Sequence, residues 1–491
     1  MKEYGLYING KWIPSSTGRS FATSNPATGE ILATFAEGTE EDVNKAVEAA
    51  SRAQSAWRNF PAPKRGELLL NTARIMRDRK EELGELVSRE MGKVIAEGKG
   101  DVQEAIDFLE YISGEGRRMT GETTPSELPD KFCMTVRQPV GIVGLITPWN
   151  FPFAVPCWKL GPALIAGNTV VYKPATLTPL CAVTLVRILE EAGLPPGVVN
   201  VVTGPADQVG TAIVEHPGVK AVSFTGSVSS GRDVYTRASS RLKRVGLELG
   251  GKNPQIVMDD ADISLAVQGV LFGAFGTAGQ RCTATSRLIL HEAVYDEMME
   301  RLASQTKSLK LGNPVDPSVD VGPVCGQDQE KKILNYIEVA KKEGAELVTG
   351  GQKLSRAPFD KGFFIQPTIF EARHGMRITK EEIFGPVLSA IKVRDYDEAV
   401  RVANDVEYGL SSSIYTGNIR IAHRAIHELE AGVVYINAPT IGAEVHLPFG
   451  GVKNTGVGTR EAGSTAIEEF TEIKSVFIDY SGRLQKAQIK D

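Results

Sequence analysis

Between Val140 and Met258 short apolar runs alternate with amphipathic stretches, the pattern of doubly covered strands joined by helical crossovers. Gly141-Ile-Val-Gly-Leu-Ile-Thr147 reads as a buried strand, interrupted by Pro148-Trp-Asn-Phe-Pro152. Asn168–Lys173 predicts the next strand, and Leu180–Ala192 an amphipathic helix stopped by Gly193. Val198–Thr203 and Ala221–Thr225 predict two more strands, each closed by a glycine, Gly204 and Gly226. A βαβ series of this kind predicts a parallel sheet with crossover helices, and ligands gather at the carboxyl ends of such strands. Those ends carry Asn150, Lys173, Gly204 and the Gly226-Ser227 pair. Upstream, Glu40–Trp57 and Lys64–Arg79 have helical amphipathic spacing. From Pro254 a second α/β series begins, with helices over Ser264–Phe275, Tyr295–Ser308 and Lys331–Glu343 and strands at Ser286–Leu290 and Gly432–Asn437. Phe132–Arg137 and Lys474–Tyr480 are extended with little core of their own, and such edges need another subunit to pair with.

Composition narrows the setting. A chain of 491 residues exceeds one core and predicts two or three domains. Charged residues at 23% and hydrophobic ones at 42% describe an ordinary globular protein. A net charge of −5 and an isoelectric point near 5.9 argue against nucleic-acid or anionic-membrane partners. No run approaches the roughly 20 apolar residues of a bilayer span, and Met1–Gly10 lacks the apolar core of a signal peptide. Five cysteines without framework spacing fit a reducing compartment, so the predicted address is the cytoplasm.

Candidate chemistry concentrates at one thiol and one carboxylate. Cys282 stands in Phe275-Gly-Thr-Ala-Gly-Gln-Arg-Cys282-Thr-Ala, among small and polar residues that a core position has little use for. Glu248 opens a second glycine-rich turn, Glu248-Leu-Gly-Gly-Lys252. Together they predict a thiol that captures an electrophile and a carboxylate that activates water. Cys133, Cys157, Cys181 and Cys325 read as buried small hydrophobes. A metal site has no support: His423 and His427 have i,i+4 spacing but no zincin glutamate follows His423, and the remaining histidines are scattered. No G-x-G-x-x-G follows a strand; Gly226-Ser-Val-Ser-Ser-Gly231, leading into a helix over Ser229–Ser239, is by itself a weak anion-site signal.

The Cys282 and Glu248 stretches resemble the active site of the aldehyde dehydrogenase superfamily. So do Thr147-Pro-Trp-Asn-Phe-Pro152, Lys173-Pro-Ala-Thr176, Phe224-Thr-Gly-Ser227, Glu381-Glu-Ile-Phe-Gly-Pro386 and Pro448-Phe-Gly-Gly451. The resemblance covers nearly the whole chain. It implies an α/β fold with a modified Rossmann cofactor domain (1–117 and 141–250), an α/β catalytic domain (251–450), and β-strand oligomerisation segments (118–140 and 451–491) that build a homo-oligomer, dimer or tetramer. It implies that Asn150 and the Cys282 N–H stabilise the oxyanion, that Cys282 passes through thiohemiacetal and thioester, and that Glu248 drives hydrolysis to the acid. It also implies a cofactor site made by Thr147, Pro148, Trp149, Lys173, Thr176, Gly204, Gly210, Phe224, Gly226, Ser227, Glu382 and Phe384. The pyrophosphate would then rest at the helix after Ser227, and Lys173 and Glu382 would hold the two riboses.

Thr176 discriminates among relatives. NAD-preferring members often carry Glu three residues after the lysine, where a carboxylate repels a 2′-phosphate. Threonine removes that repulsion while Lys173 supplies positive charge, so NADP is the preferred cofactor, with NAD also admitted. The resemblance lines the substrate tunnel with Phe151, Val155, Trp158, Phe275 and Phe449, suiting aliphatic aldehydes. Gln280–Arg287 is most similar to the 2-oxoglutarate semialdehyde (2,5-dioxopentanoate) branch, whose carboxylated substrate would find a cation in Arg281. The same residues also fit a thioester hydrolase without redox chemistry, which leaves Lys173 and Glu382 without a role. They fit a non-catalytic member of the fold as well, at odds with the presence of both Cys282 and Glu248.

Overall fold

The computed structural model describes residues 2–489. Its largest sheet has eight strands, in the order Gly456–Val457, Arg244–Glu248, Val219–Thr225, Ile142–Ile146, Thr169–Lys173, Val199–Val201, Leu6–Ile8 and Lys11–Ile13. The five central strands are parallel and the flanking ones antiparallel. Ile142–Ile146 and Thr169–Lys173 are buried along their whole length because both faces are covered. Alternate side chains serve different cores. Val143, Leu145, Val170 and Tyr172 pack with helix Ala154–Ala166, whereas Ile142, Ile146 and Val171 pack with Val43, Ala46 and Val47 of helix Glu40–Asn59.

The second sheet has seven strands, in the order Glu346–Thr349, Thr368–Glu371, Val387–Val393, Thr285–His291, Asn253–Val257, Ser411–Tyr415 and Val433–Ile436, all parallel except the first. The same division recurs: Ile256, Ile289, Ile391 and Ile414 face one core while Val257, Leu288, Leu290 and Leu388 face another.

Lys131–Pro139 and Thr471–Asp479 pair antiparallel from Thr471 opposite Pro139 to Asp479 opposite Lys131, with Thr123–Pro125 as a third strand. This separate sheet leaves Ile473 and Phe477 about two-thirds exposed, at 65% and 67%. One part of the 451–491 stretch behaves otherwise. Gly456–Val457 joins the large sheet, setting Gly456 opposite Glu248. Two residues are too few for a periodic signal, so only the tertiary fold reveals that strand. Helix Ile419–Glu428 presents His423 and His427 on its exposed face.

Candidate active site

Helix Ile263–Phe275 begins at Asp262, whose carboxylate accepts the Leu265 N–H at 3.0 Å, and it ends at Gly276. The chain then turns the wrong way for L-residues. Thr277 and Ala278 have φ of 53° and 52°, and Gly279 follows at 68°. Gly279 is needed twice over, for its positive φ and because a β-carbon there would overlap the Gly385 carbonyl. Gln280 is fully buried and locks the loop inward: its Nε2 donates to Thr277 O at 3.1 Å and its Oε1 accepts the Cys325 N–H at 2.9 Å. Cys282 emerges half-buried, its carbonyl accepting from Asn253 Nδ2 at 2.7 Å.

Cys282 opens into a cleft of about 140 Å³. Pro148, Trp149, Asn150 and Phe151 reach it from the interruption after Ile142–Ile146, and Val155 from the next helix. Gly226 and Ser227 reach it from the end of Val219–Thr225. Glu382 and Phe384 close the far side, Phe384 at a φ of 61° and edge-on to Trp149 at 5.4 Å between ring centres. A phenylalanine held left-handed costs about 1–3 kcal/mol, the kind of strain that collects at functional sites. Asn150 is buried, and its Nδ2 donates to Gln280 O at 3.0 Å, which ties the amide to the loop bearing Cys282. The Glu382 carboxylate lies over Gly250, where a β-carbon would overlap it, and accepts the Gly251 N–H at 3.1 Å.

Glu248 ends its strand opposite Thr225 in register and is buried, with Oε1 lacking a hydrogen-bond partner. Burial first, then the nearby Glu461 carboxylate, pushes its pKa well above the ordinary carboxylate value. Burial, followed by the Glu248 and Glu382 charges, likewise pushes the Cys282 thiol well up. Behind Glu248, the ammonium of Lys159 donates to Ser223 Oγ at 2.8 Å and pairs with Glu461. Cys282 and Glu248 thus both favour their protonated forms; Glu248 does not itself line the cleft, and its carboxylate lies beside Gly450 among the charges of Glu461, Lys159 and Arg460.

The remaining cofactor candidates lie at or near the carboxyl ends of the large sheet's strands, and of them only Ser227 lines the cleft. Lys173 is buried, donates to Pro174 O at 3.0 Å, and is lowered to about 8 by burial against a weaker opposing pull from Asp207. Thr176 occupies the half-buried turn that follows. Gly204 and Gly210 frame a single helical turn, Ala206–Gly210. Ser227 caps helix Val228–Ser239, accepting the Ser230 N–H at 3.2 Å. Thr147 and Phe224 stand behind the cleft: the Thr147 hydroxyl bonds the Tyr172 hydroxyl at 3.0 Å, and Phe224 is in the core beneath.

Three substrate-tunnel candidates do not line this cleft. Phe275 is 1% exposed, in the core on one face of the seven-stranded sheet, because the last turn of its helix faces that core. Trp158 and Phe449 pack edge-on at 5.1 Å in the core against which Cys282 packs. Arg281 has its charge matched by Glu97 at 2.9 Å. Thr225, Leu249 and Gly250 line the cleft from within the Phe224–Ser227 and Glu248–Lys252 motifs, whereas Gln329 and Lys332 line it and carried no signal in the sequence. Gln329 and Lys332 come from helix Gln327–Lys342, whose turns are periodic for burial and silent about what its polar face meets.

Residues 12–476 match the model of the aldehyde dehydrogenase family. The chain is 45% identical over 477 residues to the alpha-ketoglutaric semialdehyde dehydrogenase of Bacillus subtilis (strain 168), covering 97% of this chain and 98% of the relative. A solved betaine aldehyde dehydrogenase from Staphylococcus aureus in complex with NAD+ superposes with a TM-score of 0.96 at 35% identity, over 99% of this chain and 97% of that one. A solved E. coli NADP dependent enzyme gives 0.94 at 38% identity, over 97% and 98%.

Proposed function

The chain belongs to the aldehyde dehydrogenase family and oxidises an aldehyde to the acid with a nicotinamide cofactor; from that premise we propose which of its residues do the work. Cys282 is the nucleophile, Asn150 and the Cys282 N–H hold the oxyanion, and Glu248 is the base. The observation that carries this reading is the shared cleft: Cys282 and Asn150 line it together, and the Asn150 amide is tied to the loop bearing Cys282.

Thiolate addition to the aldehyde carbon gives a tetrahedral adduct with charge on oxygen, and a preorganised amide such as Asn150 Nδ2 stabilises that charge. Bound nicotinamide supplies the hydride acceptor. Cys282 is left as a thioester, and Glu248 takes a proton from the water that hydrolyses it. The residues fit a dinucleotide on two counts. Helix Val228–Ser239 starts at the cleft with exposed Ser227, which suits a pyrophosphate. Thr225 Oγ1, at the same place, is buried without a partner. Lys173, Thr176, Gly204 and Gly210 would hold the adenine-ribose end, Glu382 and Phe384 the nicotinamide ribose, and Trp149 would lie against the sugar–phosphate portion. NADP is the preferred cofactor, supported by Thr176 in place of a carboxylate and by the likeness to an NADP dependent enzyme.

The substrate is an aldehyde of the 2-oxoglutarate semialdehyde type, supported by the name of the B. subtilis relative, and the walls Phe151 and Val155 suit its aliphatic carbons. The nine-residue pairing of Thr471–Asp479 with Lys131–Pro139, with Ile473 and Phe477 bare, supports a homo-oligomer through this arm. No helix among the described residues is long and apolar enough to cross a membrane, and five unpaired cysteines support a reducing, cytoplasmic address. An aldehyde panel with NADP and NAD, followed by reduced-cofactor absorbance and acid product, tests the reading. Absence of acid with every aldehyde would overturn it.

A further inference from the structure

Glu97 lies in helix Ile95–Ser113, far from the nucleophile in sequence, and the chemistry above makes no use of it. Yet its two carboxylate oxygens accept the Thr277 N–H at 2.9 and 2.8 Å, and Oε1 also accepts Arg281 Nη2 at 2.9 Å. Arg281 completes the ring by donating Nε to Thr277 Oγ1 at 3.0 Å. The ion pair is largely withdrawn from water, with side chains 12% and 14% exposed, so removing one partner would leave the other charge buried and unpaired. The guanidinium lies over Phe272 at 5.5 Å and over Phe151, a wall of the cleft, at 5.6 Å.

This ring encloses Thr277 and Ala278, whose left-handed backbone is unfavourable for residues bearing a β-carbon. Gln280 and Asn253 hold the inner side of the loop, and the Glu97–Arg281 contacts are what hold Thr277 on its outer side against relaxation toward right-handed φ. We propose that Glu97 is a positioning residue for the reaction: with Arg281 it clamps residues 277–281 and sets the Cys282 thiol and N–H where the oxyanion forms. The clamp accounts for the arginine beside the nucleophile as a part of the scaffold. It rests on the reading of Cys282 as nucleophile.

Glu97→Ala and Glu97→Gln in the full chain test it, with kcat, aldehyde KM, NADP Kd and Tm measured together. Glu97→Ala should lower kcat by about tenfold to a hundredfold, the usual cost of an ångström-scale misplacement. Glu97→Gln, which keeps an acceptor for the Thr277 N–H, should lose less. Cofactor Kd should not move, because the strand-end residues are untouched. Adding Ala278→Gly to either variant should restore part of kcat, since glycine takes positive φ freely; a merely structural role for Glu97 predicts no such rescue. If Glu97→Ala does not fold, the Glu97→Gln pair decides. Wild-type kcat in Glu97→Ala, or no rescue by Ala278→Gly, overturns the clamp. Hydrogen exchange at Thr277 separates the two readings: faster exchange in the Glu97 variants supports the clamp, and unchanged exchange overturns it. Turnover in Cys282→Ala overturns only the nucleophile reading.

Discussion

The two parallel sheets are built on the same plan and present their chemistry differently. In the eight-stranded sheet, Glu248, Lys173 and the Thr225–Ser227 turn sit at the carboxyl ends of regular strands, so their positions follow from the strands themselves. In the seven-stranded sheet, Cys282 comes from a loop ahead of strand Thr285–His291, bent by three positive-φ residues and held by Glu97 from outside the sheet. In the proposed reading, the strand ends of the first sheet offer the cofactor a cradle on regular backbone. A nucleophile has to project into that cradle from the side, and reaching across takes a backbone that only tertiary contacts can hold.

Four substitutions sharpen that contrast, from the largest effect to the smallest. Cys282→Ala should lower turnover by at least about a thousandfold and leave NADP Kd unchanged, because the thiol serves chemistry and is no part of the proposed cofactor site. Appreciable acid formation in this variant would break the division. Glu248→Gln should give one burst of reduced cofactor and then stall at the thioester. The pH dependence has a definite sign. Glu248 activates water only as the carboxylate, and burial raises its pKa, so steady turnover should climb as pH rises through a value well above the ordinary 4.5. The raised Cys282 thiol acts in the same direction. In Glu248→Gln the hydrolytic limb should vanish from stopped-flow pH profiles while the burst keeps its own rise.

Gly279→Ala forces a β-carbon against the Gly385 carbonyl at positive φ. It should cost kcat about tenfold to a hundredfold by displacing the loop, while cofactor Kd weakens less, since the carbonyl pushed is that of Gly385, next to Phe384. Equal loss in Kd would mean that loop and cradle are not separable. Thr176→Glu acts on the cradle alone. A like charge near the 2′-phosphate is worth about 1–3 kcal/mol, so NADP affinity should fall five- to a hundredfold with NAD unchanged or improved. Equal weakening of both would remove Thr176 from the discriminating position.

What the amino-acid order determined by itself is what periodicity and local chemistry encode. The strands at Ile142–Ile146, Thr169–Lys173 and Val219–Thr225 are runs of apolar residues buried on both faces, and such burial is written residue by residue. Cys282 and Glu248 announced themselves through glycine-rich neighbours that a core would not use. Phe275 shows where this stops: its place in a motif suggested the tunnel, but the rotation of its helix turns it into the core. Arg281 shows the same limit, since the partner that takes its charge is 184 residues earlier. Gly456–Val457, Gln329 and Lys332 were likewise invisible, being too short or too ordinary to differ from any loop or helix face. Pairings between distant segments depend on how two sheets and their helices dock, and that docking sums many weak contacts that no single stretch of sequence contains. The tertiary structure therefore decided which polar groups meet at Cys282, and it alone holds Thr277 and Ala278 in a conformation their own side chains resist.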